Sequence, residues 1–476
     1  MKRILLLLVT MGIFAVVQAD DMVKLDAPLT LEPIYYETPK PALHWTFPFL
    51  MGLTQNIIVW QYNLQIQKEE WAKISLESMK SNMKNGFEWD DNHFGINFFG
   101  HPYQGSYYFT SARSFGYSFY PSVLYTAVGS FVWECCLETE APSTNDLMLT
   151  TMGGAIYGEI LYRLSERLFA KPNRRLLDEP SAFVLHPMSY SQRKFVGVRQ
   201  HNPGYHPLDF SIGLGGGSRL GGNYNYDREL YENPNIDSWR GGLAAADLSL
   251  VYGKPNRTMK EPFEYFTIDA LYHYGKNGGP LFRMHTIGKL KNMTFNSEGS
   301  WVDVGTYTHF DTYYGSFVEM NAISLGLGLD FNLQGQFLRF RTTNFPSFVV
   351  IGATDFNYDE IFADKYGDDT KRNYQYSYGF NYKANMEIEW LGRGIFKSNS
   401  RAYLFRSIPS SVPHYYTNGI DLILNNSAIM EIYLPRKLKI GNRFDSYLKV
   451  ATYDNKDFSL MSRMINSLAF YLAYSL

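Results

Sequence analysis

The spacing of apolar residues changes period part-way along this chain, and that change divides it. Between about Leu50 and Lys84, Ile57, Trp60, Leu64, Trp71 and Ile74 recur at three- and four-residue steps, or at seven across one gap, with Gln and Glu on the opposite face. This pattern predicts one amphipathic helix, stopped at Gly86. Two apolar runs follow. Phe119 to Leu137 stays apolar until Glu134, and Leu147 to Leu168 is interrupted by Gly153, Gly154, Gly158 and Glu159. Pro142-Ser143 and Asn145-Asp146 supply a turn and a helix N-cap, so the runs are expected to form an αα-hairpin. Gly154 and Gly158, four residues apart, let a second backbone approach closely. Both runs are short and carry carboxylates, which makes their partition into lipid as transmembrane helices marginal.

After a polar linker near Lys171 to Glu179 the period becomes two. Between 373 and 390, Tyr374, Tyr376, Tyr378, Phe380, Tyr382, Ala384, Met386, Ile388 and Trp390 alternate with polar or small residues. Ile323, Leu325, Leu327, Leu329, Phe331 and Leu333 alternate in the same way with Ser324, Gly326, Gly328, Asp330, Asn332 and Gln334. Alternation of this length suits a strand with one face in lipid and the other in a wet interior. A soluble sandwich also alternates, with the opposite face outward. Similar segments from about His206 onward number roughly twelve, an even count of the outer-membrane kind. The last, Leu468, Phe470, Leu472, Tyr474 and Leu476, resembles the C-terminal strand read by barrel-insertion machinery, with Leu in place of the usual terminal Phe. The acidic stretch Asp364 to Asp369 is long enough for an outward-facing loop.

Composition and the N-terminus decide between the two alternations. Aromatic residues make up 17% of the 476 positions, yet mean hydropathy is −0.25. Aromatic girdles around a polar lumen produce such a profile. Lys2 and Arg3 precede the apolar run Ile4 to Val17, and Val17-Gln18-Ala19 forms a small-residue cleavage site, so a secretory signal peptide is expected. A net charge of −2 offers no field for nucleic acid. Cys135 and Cys136 are adjacent on a helix, where a mutual bridge is strained, and they read as small buried apolar residues. The expected organisation is a signal peptide (1–19), a Pro-rich extended tether (20–43), a helical domain (44–170), a linker (171–205) and an outer-membrane β-barrel (206–476). The fold class is therefore α+β, an N-terminal helical module followed by a transmembrane antiparallel barrel of about twelve strands.

Residues with chemistry beyond packing concentrate between Trp89 and Arg167. A Gly- and aromatic-rich stretch, expected as a loop, carries Asp90, Asn92, Asn97, His101 and Arg113, and the two helices carry Glu134, Glu138, Asn145, Asp146 and Glu159. The pattern Trp89-Asp90, Phe94, Asn97, Gly100-His101-Pro102-Tyr103, Gly105-Ser106, Ala112-Arg113-Ser114, Trp133-Glu134, Glu138, Pro142-Ser143, Asn145-Asp146, Gly153-Gly154 and Gly158-Glu159 resembles an uncharacterised bacterial envelope family known only as a domain of unknown function. The resemblance covers about a sixth of the chain and implies a family without a known reaction.

Glu134 and Glu138 share one helix face, and Glu159 comes from the partner helix. Buried without partners, each would cost several kcal/mol, roughly 3 to 5. They need Arg113, His101, Arg163, a metal or water. The bland reading has Arg113 and loop amides fasten loop to hairpin, so Asn97, Arg113, Glu134, Glu138, Asn145, Asp146 and Glu159 form a binding or structural polar cluster. Two sharper readings exist. His101, Asp90 and Ser106 supply the residue types of a hydrolytic triad, without a nucleophile-elbow pattern. His101, Glu134, Glu138 and Glu159 supply metal-ligand types, but the second His of a Glu-x-x-His motif is absent, so neither metal nor cofactor is expected. His93, His186 and His206 read as loop residues, two of them preceding Pro. The expected function is a structural role, or small-solute binding and passage, in the bacterial outer membrane, with the helices plugging or underlying the barrel mouth. The alternative is an outer-membrane enzyme acting on lipid or lipopolysaccharide. Expected partners are outer-membrane lipid and, during biogenesis, the barrel-assembly machinery; the oligomeric state stays open.

Overall fold

A computed structural model describes residues 45–169, 176–192, 194, 206–226, 236–356, 372–412, 417–454 and 460–475. The chain divides into two compact units, Met1–His206 and Pro207–Leu476. The signal peptide, the tether, the acidic stretch 364–369 and Leu476 lie outside the described residues.

In the first unit the single helix expected over 50–84 is two helices. α1 (Thr46–Tyr62) runs into a π turn, Asn63–Gln67, and stops where Lys68 adopts the left-handed backbone at φ 58. A new helix, α2 (Leu76–Asn85), starts at Ser75 with a reciprocal cap: Ser75 Oγ accepts from Ser78 N at 3.0 Å, and Ser75 N donates to Ser78 Oγ at 2.9 Å. Apolar spacing carries across the break because the intervening turn folds back on α1, with Trp60 Nε1 donating to Ala72 O at 2.8 Å.

The Gly- and aromatic-rich stretch is a loop only as far as His93 and is helical from Phe94 onward. It forms α3 (His101–Ser114), with Pro102 in the first turn, where a missing N–H is harmless. α4 (Phe119–Cys136) and α5 (Thr144–Met148) follow, then a π turn, Leu149–Gly153, and α6 (Gly154–Phe169). The cap of α5 is Ser143, whose Oγ accepts from Asp146 N at 3.1 Å, rather than Asn145 or Asp146. The glycine step serves α3 instead of α4. A Cβ on Gly154 would lie 2.6 Å from the Gly105 backbone, one on Gly105 would lie 1.9 Å from Thr150 O, and Gly158 lies against Phe109. Only glycine permits that approach. Part of the expected linker is also helical: α7 (Asp178–Leu185) and α8 (Pro187–Ser191) pack on α6 and α3. Cys135 and Cys136 are free thiols. No described helix is long and apolar enough to cross a membrane.

The second unit is a closed antiparallel barrel of twelve strands. These are β1 (Leu208–Tyr226), β2 (Ile236–Tyr252), β3 (Phe266–Tyr274), β4 (Pro280–Ser297), β5 (Ser300–Gly315), β6 (Glu319–Gln334), β7 (Leu338–Asp355), β8 (Tyr374–Trp390), β9 (Gly394–Ser407), β10 (Gly419–Tyr433), β11 (Leu438–Tyr453) and β12 (Leu460–Ser475). Each strand pairs with its sequence neighbour, and β1 closes on β12 with Gly217 opposite Ala469. One rim carries tight turns at 298–299, 335–337, 391–393 and 434–437. At the first, Glu298 (φ 43) and Gly299 (φ 85) supply the two positive φ values that a right-twisted hairpin requires.

The burial pattern settles which face is which. On β6, Leu325, Leu327, Leu329 and Leu333 are exposed while Ser324, Asp330 and Asn332 are buried; on β12, Leu468, Phe470 and Leu472 are exposed while Ser467 is buried. On β8, Phe380 is 63% exposed and Lys383 only 1%. A sandwich in water would reverse this arrangement, so the outer face is built for a lipid solvent. Tyr374 and Tyr376 depart from the expectation for their strand. Both are buried, with the Arg372 guanidinium 5.7 and 5.1 Å from their rings.

Candidate functional site

The charge-bearing residues singled out on the sequence fall into two separate buried groups in the helical unit. In the first, Glu159 on α6 is fully enclosed and met by two guanidinium groups. Arg113 Nε donates to Glu159 Oε2 at 2.8 Å and Nη2 to Oε1 at 3.0 Å, while Arg163 Nε donates to Oε1 at 2.8 Å. Arg113 also donates to Tyr117 O at 2.9 Å and lies 4.8 Å from the Tyr162 ring centre. The two-pronged contact holds the guanidinium plane. This is the fastening expected of Arg113, but it reaches only one of the three glutamates.

The second group gathers where the start of α3, the end of α4 and the start of α5 meet. His101 Nε2 lies 3.3 Å from Asp146 Oδ1, and His101 Nδ1 lies 3.3 Å from Thr150 Oγ1. Glu134 Oε2 accepts from Ser143 N at 2.9 Å. Asn145 Nδ2 donates to Asp146 Oδ1 at 2.8 Å, Asn145 Oδ1 accepts from Asp90 N at 2.9 Å, and Trp133 Nε1 donates to Glu138 Oε1. One ligand atom each from His101, Glu134 and Asp146 falls within 4.8 Å of the others. Glu138 and Glu159, offered with His101 and Glu134 on the sequence, fall outside this set, and Asp146 joins it.

Among the described residues no Lys or Arg forms an ion pair with Glu134, Glu138 or Asp146. Burial raises the pKa of all three carboxyls. Asp146 raises Glu134 and Glu138 further, and Glu138 adds to Glu134; at Asp146 itself, the His101 imidazole opposes the shift. The same burial pushes the Cys135 thiol up to about 11, consistent with an inert side chain.

The hydrolytic triad does not assemble. The imidazole of His101 is engaged by Asp146 and Thr150, Ser106 Oγ donates to Tyr103 O of its own helix at 2.6 Å, and Asp90 Oδ1 accepts from Asn92 N at 3.0 Å. Asn97 lies in a π turn before α3 and donates to Asn92 O at 3.5 Å. His93 is exposed. His186, expected in a loop, is a buried cap: Nδ1 accepts from Ser189 N at 3.3 Å, Nε2 lies 2.8 Å from Thr110 Oγ1, and burial lowers its pKa to about 3. Sequence reading passed over Thr150, and gave Ser143 and His186 no part in these buried groups. The signal for Ser143 and His186 was a capping residue just ahead of a helix; nothing local marks Thr150, which meets His101 through the close α3–α6 approach.

In the barrel, polar side chains fill the interior and meet across it. β5 and β11 stand opposite one another in the ring, six strands apart, yet Tyr313 and Tyr447 have ring centres 5.5 Å apart. Arg283 on β4 pairs with Asp445 on β11 at 2.7 Å, Lys449 on β11 with Asp355 on β7 at 3.3 Å, and Lys383 on β8 with Asp311 on β5 at 2.5 Å.

Residues 86–188 match the family model DUF3943, a domain of unknown function. The DUF3943 match spans both buried groups and runs through α7 into the first residues of α8, part of the segment expected as linker. No curated protein matches the chain. Among solved structures the chain is similar to the KdgM porin (10% identity, covering 54% of this chain and 99% of that one, TM-score 0.21). It is also similar to the NanC porin (10%, 53% and 98%, TM-score 0.23) and to the toluene transporter TodX of Pseudomonas putida (7%, 57% and 90%, TM-score 0.22).

Proposed function

We propose that this is a bacterial outer-membrane protein whose barrel binds or passes small solutes through a lumen that is closed at rest. One observation carries the reading: inside an apolar exterior, charged and aromatic side chains from opposite walls meet in direct contact, as Tyr313 with Tyr447 and Arg283 with Asp445 do. A barrel needed only as an anchor has no use for so charged an interior, because desolvated ion pairs contribute little stability over apolar packing. A standing pore, in turn, would not be crossed by side-chain bridges. The reading therefore combines a polar path with a removable obstruction.

Planar-bilayer recording of the purified, detergent-extracted protein tests this. The wild type is expected to stay closed for most of the record. The double substitution Tyr313→Ala with Tyr447→Ala should raise open probability severalfold, provided that heat-modifiable migration shows an intact barrel. A wild type that conducts continuously would refute closure. An intact double variant that never conducts would remove passage and leave a structural role.

A further inference from the structure

The second buried group has the composition and geometry of a metal site. We propose that His101 Nε2 and the carboxylates of Glu134 and Asp146 bind one first-row transition dication of the zinc or manganese class. This inference is independent of the passage reading, since it concerns the helical unit alone.

The three ligands come from three helices: the first residue of α3, the last turn of α4 and the first turn of α5. Their ligand atoms nevertheless lie within 4.8 Å of one another. Atoms bound to one ion cannot be farther apart than twice the bond length, about 4.0 to 4.4 Å for bonds of roughly 2.0 to 2.2 Å. Small rotations of the Asp146 and Glu134 side chains close the difference. One imidazole with two carboxylates suits zinc, manganese or iron, whereas calcium and magnesium sites draw on oxygen alone.

Each ligand is also oriented from behind. Thr150 Oγ1 sits at His101 Nδ1, leaving Nε2 for the ion; Ser143 N holds Glu134 Oε2; Asn145 Nδ2 holds Asp146 Oδ1. Outer partners of this kind fix ligand direction in metal sites.

Charge supplies an independent reason. Glu134 is 1% exposed, and its second oxygen, Oε1, accepts no hydrogen bond among the described residues. The same helical unit neutralises Glu159 with two arginines, so the fold has the means to pair a buried carboxylate, and among the described residues the basic side chain set against Glu134 and Asp146 is the His101 imidazole alone. A dication balances the two carboxylates. Binding involves no redox change: the ion exchanges water for protein ligands, and any proton on a ligand passes to solvent.

The test uses full-length protein in detergent, stripped with a chelator and titrated with zinc or manganese chloride, with stoichiometry read by calorimetry and by elemental analysis after gel filtration. Wild type is expected to hold one ion per chain. Glu134→Gln and His101→Ala should each weaken binding about tenfold or more, whereas His93→Ala, on an exposed residue outside the site, should leave it unchanged. Glu134→Gln keeps side-chain shape, and its helical circular dichroism verifies folding. Absence of a stoichiometric ion in the wild type overturns the proposal, as does equal binding by folded Glu134→Gln and wild type.

Discussion

Glu159 and Glu134 belong to one helical unit, both cut off from solvent, and they meet opposite conditions. Glu159 lies between Arg113 and Arg163 with every contact at 3.0 Å or less, a closed network that ties α3 to α6. Glu134 shares its surroundings with two further carboxyls, Glu138 and Asp146, and a single imidazole. His186 shows a third arrangement, a buried titratable group that folds uncharged among Thr110, Ser189 and the Tyr107 ring. The difference separates scaffold from site. A buried carboxylate held by two guanidinium groups already has its counter-charge, whereas like charges gathered in low dielectric persist only if protons or an external cation offset them.

The largest effect should come from breaking the closed network. Arg113→Met leaves Glu159 with Arg163 alone and is expected to destabilise the helical unit by roughly 3 to 5 kcal/mol. Thermal loss of the helical dichroism signal, under conditions that leave the barrel intact, measures it; a change near zero would erase the contrast between Glu159 and Glu134. His186 gives the next effect, through pH. Its folded pKa is near 3 against an ordinary 6.5, so the unfolded chain takes up the proton first. Its stability contribution is complete above about pH 6.5 and is lost as pH falls toward 3, at about 1.4 kcal/mol per pH unit. In His186→Gln that share of the slope should vanish; an unchanged profile would place the acid sensitivity elsewhere. The smallest effect belongs to the crowded group. With chelator present and above about pH 8, where the buried Glu138 carboxyl ionises, Glu138→Gln keeps an acceptor for Trp133 and removes one like charge, so stability should rise by on the order of 1 kcal/mol. A clear fall would mean that this carboxylate is already compensated.

Much of the architecture was readable in the order of residues. Alternation located β6, β8 and β12, the count of about twelve strands agrees with the ring, and the motif-bearing segment coincides with the family match. α3 was missed because Gly100, Pro102 and Gly105 read as breakers, although Pro in a first turn is a helix-start signal and Gly105 is there to admit the α6 backbone. The single helix over 50–84 was overdrawn because apolar spacing survives a turn that folds back on itself. Periodicity places the Tyr374 and Tyr376 rings in lipid because it cannot show that they pack on each other beside Arg372 and are buried.

Local sequence was enough to determine the period of each element, the switch from helical to alternating spacing, and which side chains carry charge, since these depend on neighbours a few positions away. It could not determine which way an alternating face points, because that depends on whether the chain closes around the polar or the apolar side. Nor could it divide the glutamates: Glu134, Glu138 and Glu159 look alike along the chain. Only the glycine-permitted approach of α3 to α6, and the meeting of α3, α4 and α5, gave Glu159 two arginines and left Glu134 and Asp146 facing His101.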